Sequence, residues 1–229
     1  MSRFPNRQLP TAANRHSRRQ ASARKLGSRG VPRAVREQAI LDVAGEAFAR
    51  VGYHAASMDE IAARADVSKP MVYAYFGSKE GLYVAYIDRT GRQLLERLGQ
   101  AAPRERHPRA LREPINEFLA FVEEHRDGWT VLFNELTSSR PLAEEVAALR
   151  GQITERVRAM FDPGTFGSSP PSDAAVDAIA HAIVGAGESL ANWWLDHPHV
   201  PREQVAQWYV DIVQASVETA SRAGERRHA

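Results

Sequence analysis

The stretch Ser57–Lys79, SMDEIAARADVSKPMVYAYFGSK, constrains the fold more than any other part of the chain. Its residue order specifies two short helices joined by a tight turn. Ser57 stands as an N-cap, and Glu60 three residues on completes a Ser-x-x-Glu capping box. In such a box each side chain satisfies an otherwise orphaned N–H at the helix start, and a cap stabilises by roughly 1 kcal/mol. Met58, Ile61, Ala62 and Ala65 share one helical face, as three- and four-residue spacing requires. Asp66-Val67 forms the turn. Ser68 caps the second helix, and Pro70 falls in its first turn, where a missing N–H is harmless. Gly77 offers a left-handed stop. Val72 and Phe76, four apart, anchor the second helix inward, which leaves Lys69, Met71, Tyr73 and Tyr75 to point outward.

Geometry alone leaves two readings open. One is an ordinary helical hairpin. The other is a helix-turn-helix, whose second helix can enter the major groove of DNA. The order V-S-K-P-x-V-Y-x-Y-F-x-S-K-E-x-L, running from Val67 to Leu82, resembles the signature of the tetracycline-repressor (TetR) family of bacterial transcription regulators. The resemblance extends over about residues 35 to 90. Family members usually carry Gly where this chain has Asp66. Asp tolerates the left-handed region better than most residues, so the turn should change little.

At 229 residues with 43% apolar content, the chain can build a sizeable core as one large or two small domains. It has no cysteine, which excludes a disulfide framework, a thiolate zinc site and a cysteine nucleophile. No apolar run reads as long enough for a membrane span. The net charge of +2 is unevenly placed: residues 1–36 hold ten Arg or Lys and no acid, so the remainder carries −8. A basic segment on an acidic body points to a polyanionic partner.

Residues 1–32, rich in Arg, Ser, Ala and Pro, are expected to be disordered, since they cannot bury enough surface to offset ordering entropy. An arm lying on DNA phosphates or in the minor groove, an organelle transit peptide and a solvated tail all fit the composition. The arm reading is favoured because a DNA-binding motif follows directly. Arg18-Arg19 has no apolar segment behind it, which argues against twin-arginine export.

From residue 33 onward the pattern is helical, and nothing reads as a strand. A first helix covers 33–51 and stops at Gly52, with Phe48 sealing the small core under the helix-turn-helix. Ser78 caps the next helix, Glu80 favours its start electrostatically, and Leu82, Tyr83, Ile87, Leu94, Leu95 and Leu98 carry it to about residue 99. The resemblance makes this helix the link between a DNA-binding head (33–80) and a body (81–229). Further helices are expected at about 109–126, 128–138, 141–161, 173–195 and 202–222, with a loop over 162–172. Apolar residues wrap widely around the last two, more than one inward face needs. That suggests a subunit interface, with Ile183, Leu190, Trp194, Val205, Trp208 and Ile212 as candidates. The resemblance agrees, implying a four-helix bundle formed with a two-fold mate.

For DNA contact the family motif carries over onto Ser57, Lys69, Met71, Tyr73, Tyr75 and Lys79, joined by Arg29 and Arg33 beside the arm. Lys69 can reach a phosphate or a guanine edge, and Met71 a thymine methyl group. Tyr73, Tyr75 and Lys79 are expected to hold phosphates and so to position without reading sequence. In the body, Phe118, Phe121, Trp129, Phe133 and Leu136 form an aromatic-rich series that is either plain core or the wall of an effector pocket. His181 and Glu188, seven apart on an apolar helix, are either pocket polar groups or a polar pair in the dimer seam, and Asn192 could join them. The segments GWTVLFNEL and VGAGESLANWW are broadly similar to TetR members that answer to fatty acyl groups or other lipids.

Two chemical motifs are set aside. Gly187-Glu188-Ser189-Leu190-Ala191 falls short of the hydrolase elbow G-x-S-x-G: it lacks the final Gly and follows no strand. His197-Pro198-His199 offers two histidines without further metal ligands. The expectation is therefore an all-α, homodimeric, cytoplasmic regulator, with repression the commoner family outcome. It would bind a palindromic double-stranded DNA operator and a small apolar effector, with no cofactor, metal or membrane partner. An effector-free architectural DNA-binding protein and a helical hydrolase using Ser189 are the alternatives.

Overall fold

The structure, a computed structural model, describes residues 30–102, 111–133, 140–161 and 171–228, with the side chains of the last helix described as far as residue 219. Arg29 of the basic arm, Leu136 and the side chain of Phe133 lie outside the described residues.

Every element among the described residues is a helix: α1 (Arg33–Ala55), α2 (Met58–Arg64), α3 (Lys69–Phe76), α4 (Lys79–Gln100), α5 (Arg112–Glu124), α6 (Arg126–Phe133), α7 (Arg140–Arg158), α8 (Asp173–Leu195) and α9 (Arg202–His228). Helix α1 breaks where the sequence places its end: Gly52 has φ 79° and ψ 165°, outside the helical region. The Ser68 hydroxyl accepts from Met71 N at 3.3 Å, and Ser78 from Gly81 N at 2.9 Å, as expected of N-caps. The capping box at α2 forms only in half. Ser57 accepts from Asp59 N at 3.3 Å, while Glu60 pairs with Arg50 of α1. A guanidinium one helix away competes successfully for the carboxylate.

Helices α1–α4 make the head. Phe48, Ile61, Val72 and Leu82 are fully buried there, each stabilising by roughly 1.5–3 kcal/mol relative to exposure. Phe48 meets the Tyr83 ring edge-on at 4.9 Å, and Tyr83 meets Tyr53 at 5.1 Å. Helix α4 runs out of the head into the body. There it packs on α5, α6 and α7, and α1 itself packs on α6. Helix α8 lies against α7 and α9, and α9 closes on α5.

One expectation needs correction. Helix α8, 23 residues with a best-window mean hydropathy of 1.2, is long and apolar enough to cross a membrane by length and composition. Only part of that apolar stretch is buried within the subunit. Ala180, Ile183, Gly187, Ala191 and Trp194 are buried within the subunit.

Candidate DNA-binding surface and ligand cavity

The turn between α2 and α3 is built on Asp66, whose φ of 53° makes it the one non-glycine residue with positive φ among the described residues. Asp is one of the few side chains that enters this region at modest cost. The turn is closed by Val67 N donating to Ala62 O at 3.0 Å. Helix α3 then buries Val72 and keeps Phe76 half-buried against the core. At its end Gly77 takes φ 74° and donates its N–H to Tyr73 O at 2.8 Å.

This frame sorts the expected DNA contacts. Ser57, Lys69 and Tyr73 are exposed, and Met71 is half-buried. Lys69 Nζ reaches back to Asp59 Oδ2 at 2.9 Å. That hydrogen bond and the charge of Asp59 raise the lysine's pKa, so the group stays cationic. The pair is solvent-exposed, and such pairs hold weakly. Tyr75 is half-buried, with the Arg33 guanidinium 4.8 Å from its ring centroid; α3 and the start of α1 are thereby drawn together. Lys79 Nζ donates to His54 O at 2.8 Å and stands 4.9 Å from the Tyr53 ring. It ties the α1–α2 connection to α4.

In the body, a cavity opens between α4, α5, α6, α7, α8 and α9. Its volume is about 70 Å³, and about 640 Å³ when the open space out to its mouth is counted. It is therefore narrow. Leu94 and Leu98 of α4 line it, with Phe118, Trp129, Ile153 and Ile183 among the other walls. Its polar margin is Glu188 and Tyr209. The Tyr209 hydroxyl donates to Ile183 O at 2.6 Å, and burial holds the phenol well above its ordinary pKa. Glu188 accepts from Arg150 Nε at 2.9 Å and from a terminal guanidinium nitrogen at 2.8 Å, a two-pronged pair between α8 and α7. Burial raises the Glu188 pKa, and Arg150 opposes the shift.

The expected pocket residues divide accordingly. Phe118, Trp129 and Glu188 line the cavity. Phe118 and Trp129 meet edge-on at 5.3 Å, and Trp129 Nε1 donates to Asn192 Oδ1 at 2.7 Å. Phe121 does not line it. The ring is fully buried, stacked on His125 at 4.5 Å, and is plain core. His181 is not a pocket group either; its side chain is 64% exposed beside Asp177. Although His181 and Glu188 share a face of α8, the cover that Arg150 of α7 supplies over Glu188 is not repeated two turns away. Helical spacing could not reveal the α4 and α7 walls, because core and cavity residues have the same period.

The expected dimer residues also divide. Ile183, Trp194 and Val205 are buried within the subunit, with Trp194 Nε1 donating to Val200 O at 2.8 Å, so they are not free to meet a second subunit. Leu190 is half-buried against the core. Trp208 and Ile212 are exposed, at 41% and 52%, and Trp193 joins them at 39%. The Trp193 and Trp208 rings lie 6.3 Å apart. Ser189 is exposed in the middle of α8. No group of three or more His, Cys, Asp or Glu side chains that could hold a metal occurs among the described residues.

Comparison with known proteins decides the family. The model for bacterial regulatory proteins of the tetR family matches residues 40–86, and that for the tetracyclin repressor-like C-terminal domain matches residues 108–216. The HTH-type transcriptional activator FasR of Mycolicibacterium smegmatis is 34% identical over 189 residues, covering 82% of this chain and 84% of its own. The chain belongs to the TetR family. Among solved structures, a TetR-like transcriptional regulator from Rhodococcus sp. RHA1 is 35% identical, with a TM-score of 0.65 over 81% of this chain and 95% of its own. FadR of Bacillus subtilis, solved in complex with stearoyl-CoA, shares the fold at 18% identity, with a TM-score of 0.69 over 78% of this chain and 98% of its own. As a TetR-family protein the chain is a ligand-responsive, DNA-binding transcription regulator. Its relatives regulate transcription and are not enzymes.

Proposed function

We propose that this TetR-family protein binds a palindromic operator as a homodimer and that a slender apolar ligand in the body cavity alters that binding. The observation that carries the reading is that one helix serves both ends. Leu94 and Leu98 of α4 line the cavity. About one and a half to two and a half turns earlier, Arg89 of α4 donates to Asp42 Oδ1 of α1 at 2.7 Å and to Gln38 O at 3.2 Å. A ligand that shifts α4 at one end therefore moves the head at the other. If ligand and DNA favour different positions of α4, each weakens the other's binding reciprocally.

The ligand class follows from the walls. A narrow, almost wholly apolar cavity takes an alkyl or acyl chain better than a polar metabolite. The same fold in FadR of Bacillus subtilis is known in complex with stearoyl-CoA, which supports the reading. DNA contact is assigned to Ser57, Lys69, Met71, Tyr73 and the arm side of Arg33, with Tyr75 and Lys79 holding the frame. Pairing is assigned to Trp193, Trp208 and Ile212, an exposed apolar face of the kind that marks an interaction site. Two-fold pairing would space the heads by about one or more helical turns of DNA, roughly 34–36 Å each. The protein acts in the bacterial cytoplasm, and operator placement decides whether occupancy lowers or raises transcription.

Native mass spectrometry of the purified protein, followed by operator titration before and after the small molecule is stripped, tests this reading. A dimer that carries a lipophilic adduct, and whose operator affinity changes on stripping, is expected. A monomer, or an affinity indifferent to every lipophilic ligand, would overturn it.

A further inference from the structure

The cavity's polar equipment is unusually one-sided. Among its described lining residues there is no Lys, Arg or His, and Glu188 is the one acid. Two other polar groups at the wall are already committed: the Tyr209 hydroxyl proton to Ile183 O, and the Trp129 N–H to Asn192 Oδ1. Arg150, which balances Glu188, is not itself a lining residue. The ion pair is thus oriented across the wall, with its negative end next to the cavity and its positive end behind, on α7. A carboxylate offers about four acceptor positions, and Arg150 occupies two of them at 2.9 and 2.8 Å.

From this arrangement, and resting on the cavity reading above, we propose that Glu188 is a specificity-determining residue for the ligand. The cavity takes an apolar chain whose buried polar group donates a hydrogen bond, such as a hydroxylated or amide-bearing acyl chain, and it rejects a chain ending in a free carboxylate. The physical reason is the low dielectric of the site. A ligand carboxylate buried beside Glu188 meets a like charge with little screening and finds no donor among the described lining residues. A donor finds an acceptor with unspent capacity. Arg150 fixes the carboxylate's orientation through its two-pronged grip, so the selectivity belongs to the pair.

The test uses the full chain, stripped of lipid, with three twelve-carbon probes at pH 7.5: dodecan-1-ol, dodecylamine and dodecanoate. The two charged probes have the same chain and opposite charge, so their ratio reports the field at the cavity wall rather than general hydrophobicity. In the wild type, dodecylamine is expected to bind at least tenfold more tightly than dodecanoate. Glu188→Gln leaves Arg150 without its counter-charge and should reverse the order. The double variant Glu188→Gln with Arg150→Met removes both charges, protects against misfolding from an unpaired buried cation, and should bring the ratio close to one. Equal binding of the charged probes in the wild type, or a ratio unmoved by Glu188→Gln, would overturn the role of Glu188 while dodecan-1-ol binding kept the cavity reading standing. Failure of all three probes to bind would overturn both.

Discussion

The ring of Tyr86 on α4 lies directly over Gly45 of α1: a Cβ at Gly45 would stand 2.3 Å from Tyr86 Cε2 and 2.5 Å from its hydroxyl oxygen. Any side chain there would force the Tyr86 ring to move. The two helices meet backbone to ring, and Arg89 one turn on adds its bonds to Gln38 and Asp42.

Gly45→Ala is a sharp test of this joint. In an isolated helix interior Ala would stabilise by about 1 kcal/mol over Gly. Here overpacking against Tyr86 should outweigh that gain, costing about 1–3 kcal/mol. A lowered melting temperature with weakened operator binding is expected. Gly45→Ala combined with Tyr86→Leu should recover stability, because the clashing ring is gone. An unchanged or raised melting temperature in the single variant would show that α1 and α4 are free to separate.

Tyr73 and Lys79 should separate under mutation. Tyr73 is 41% exposed and makes no contribution to the buried core. Tyr73→Phe, which removes only the hydroxyl, should leave the stability within about 0.5 kcal/mol of wild type. It should weaken operator binding by roughly ten- to a hundredfold if the hydroxyl bonds a phosphate, given about 1.5–3 kcal/mol for a hydrogen bond to a charged group. Lys79→Ala should lower both stability and affinity, because Nζ holds His54 O and so fixes the frame that carries the contact residues. Thermal denaturation read beside operator titration checks the split; equal stability losses in both variants would count against the assignment.

The outer faces of α8 and α9 make a third case. Trp208→Ser with Ile212→Ser should give a folded monomer by light scattering, with operator binding lost. Trp194→Ala is expected to behave differently. It deletes a side chain only 2% exposed and leaves Val200 O without its donor, so a loss of about 3–5 kcal/mol in stability is expected. A dimer surviving the double substitution would move the interface elsewhere.

Glu188 gives a pH dependence with a definite sign. Its pKa is raised from an ordinary value of 4.5, burial being the main cause. The folded protein therefore holds this proton to higher pH than the unfolded chain does. The stability linked to it is fully present below about pH 4.5 and is lost as pH rises through the folded-state pKa. Relative to Glu188→Gln, which does not titrate, the wild type's melting temperature should fall as pH rises above 4.5 and then level off. A difference that instead grows in the wild type's favour with pH would mean that Arg150 dominates over burial.

What could be read from the chain alone is what depends on neighbours in sequence. The caps at Ser68 and Ser78, the left-handed turn at Asp66, the stops at Gly52 and Gly77 and the inward face of Val72 all rest on contacts within a few residues. Local chemistry determines those, and together with the order from Val67 to Leu82 it was enough to point to the family. The half-formed capping box shows the limit. Glu60 had a correct local role on offer and went to Arg50, ten residues away, because packing α1 on α2 brought a stronger partner within reach. The body extends the same lesson. Trp193 and Trp194 are adjacent, yet one is 39% exposed and the other 2%. Phe118 and Phe121 sit on one helix, yet one lines the cavity and the other fills the core. Hydrophobic period says that a residue faces other apolar atoms. Whether those atoms belong to its own core, to a void or to a second subunit depends on where α4, α7 and α9 stand in space, and only the tertiary structure decides that.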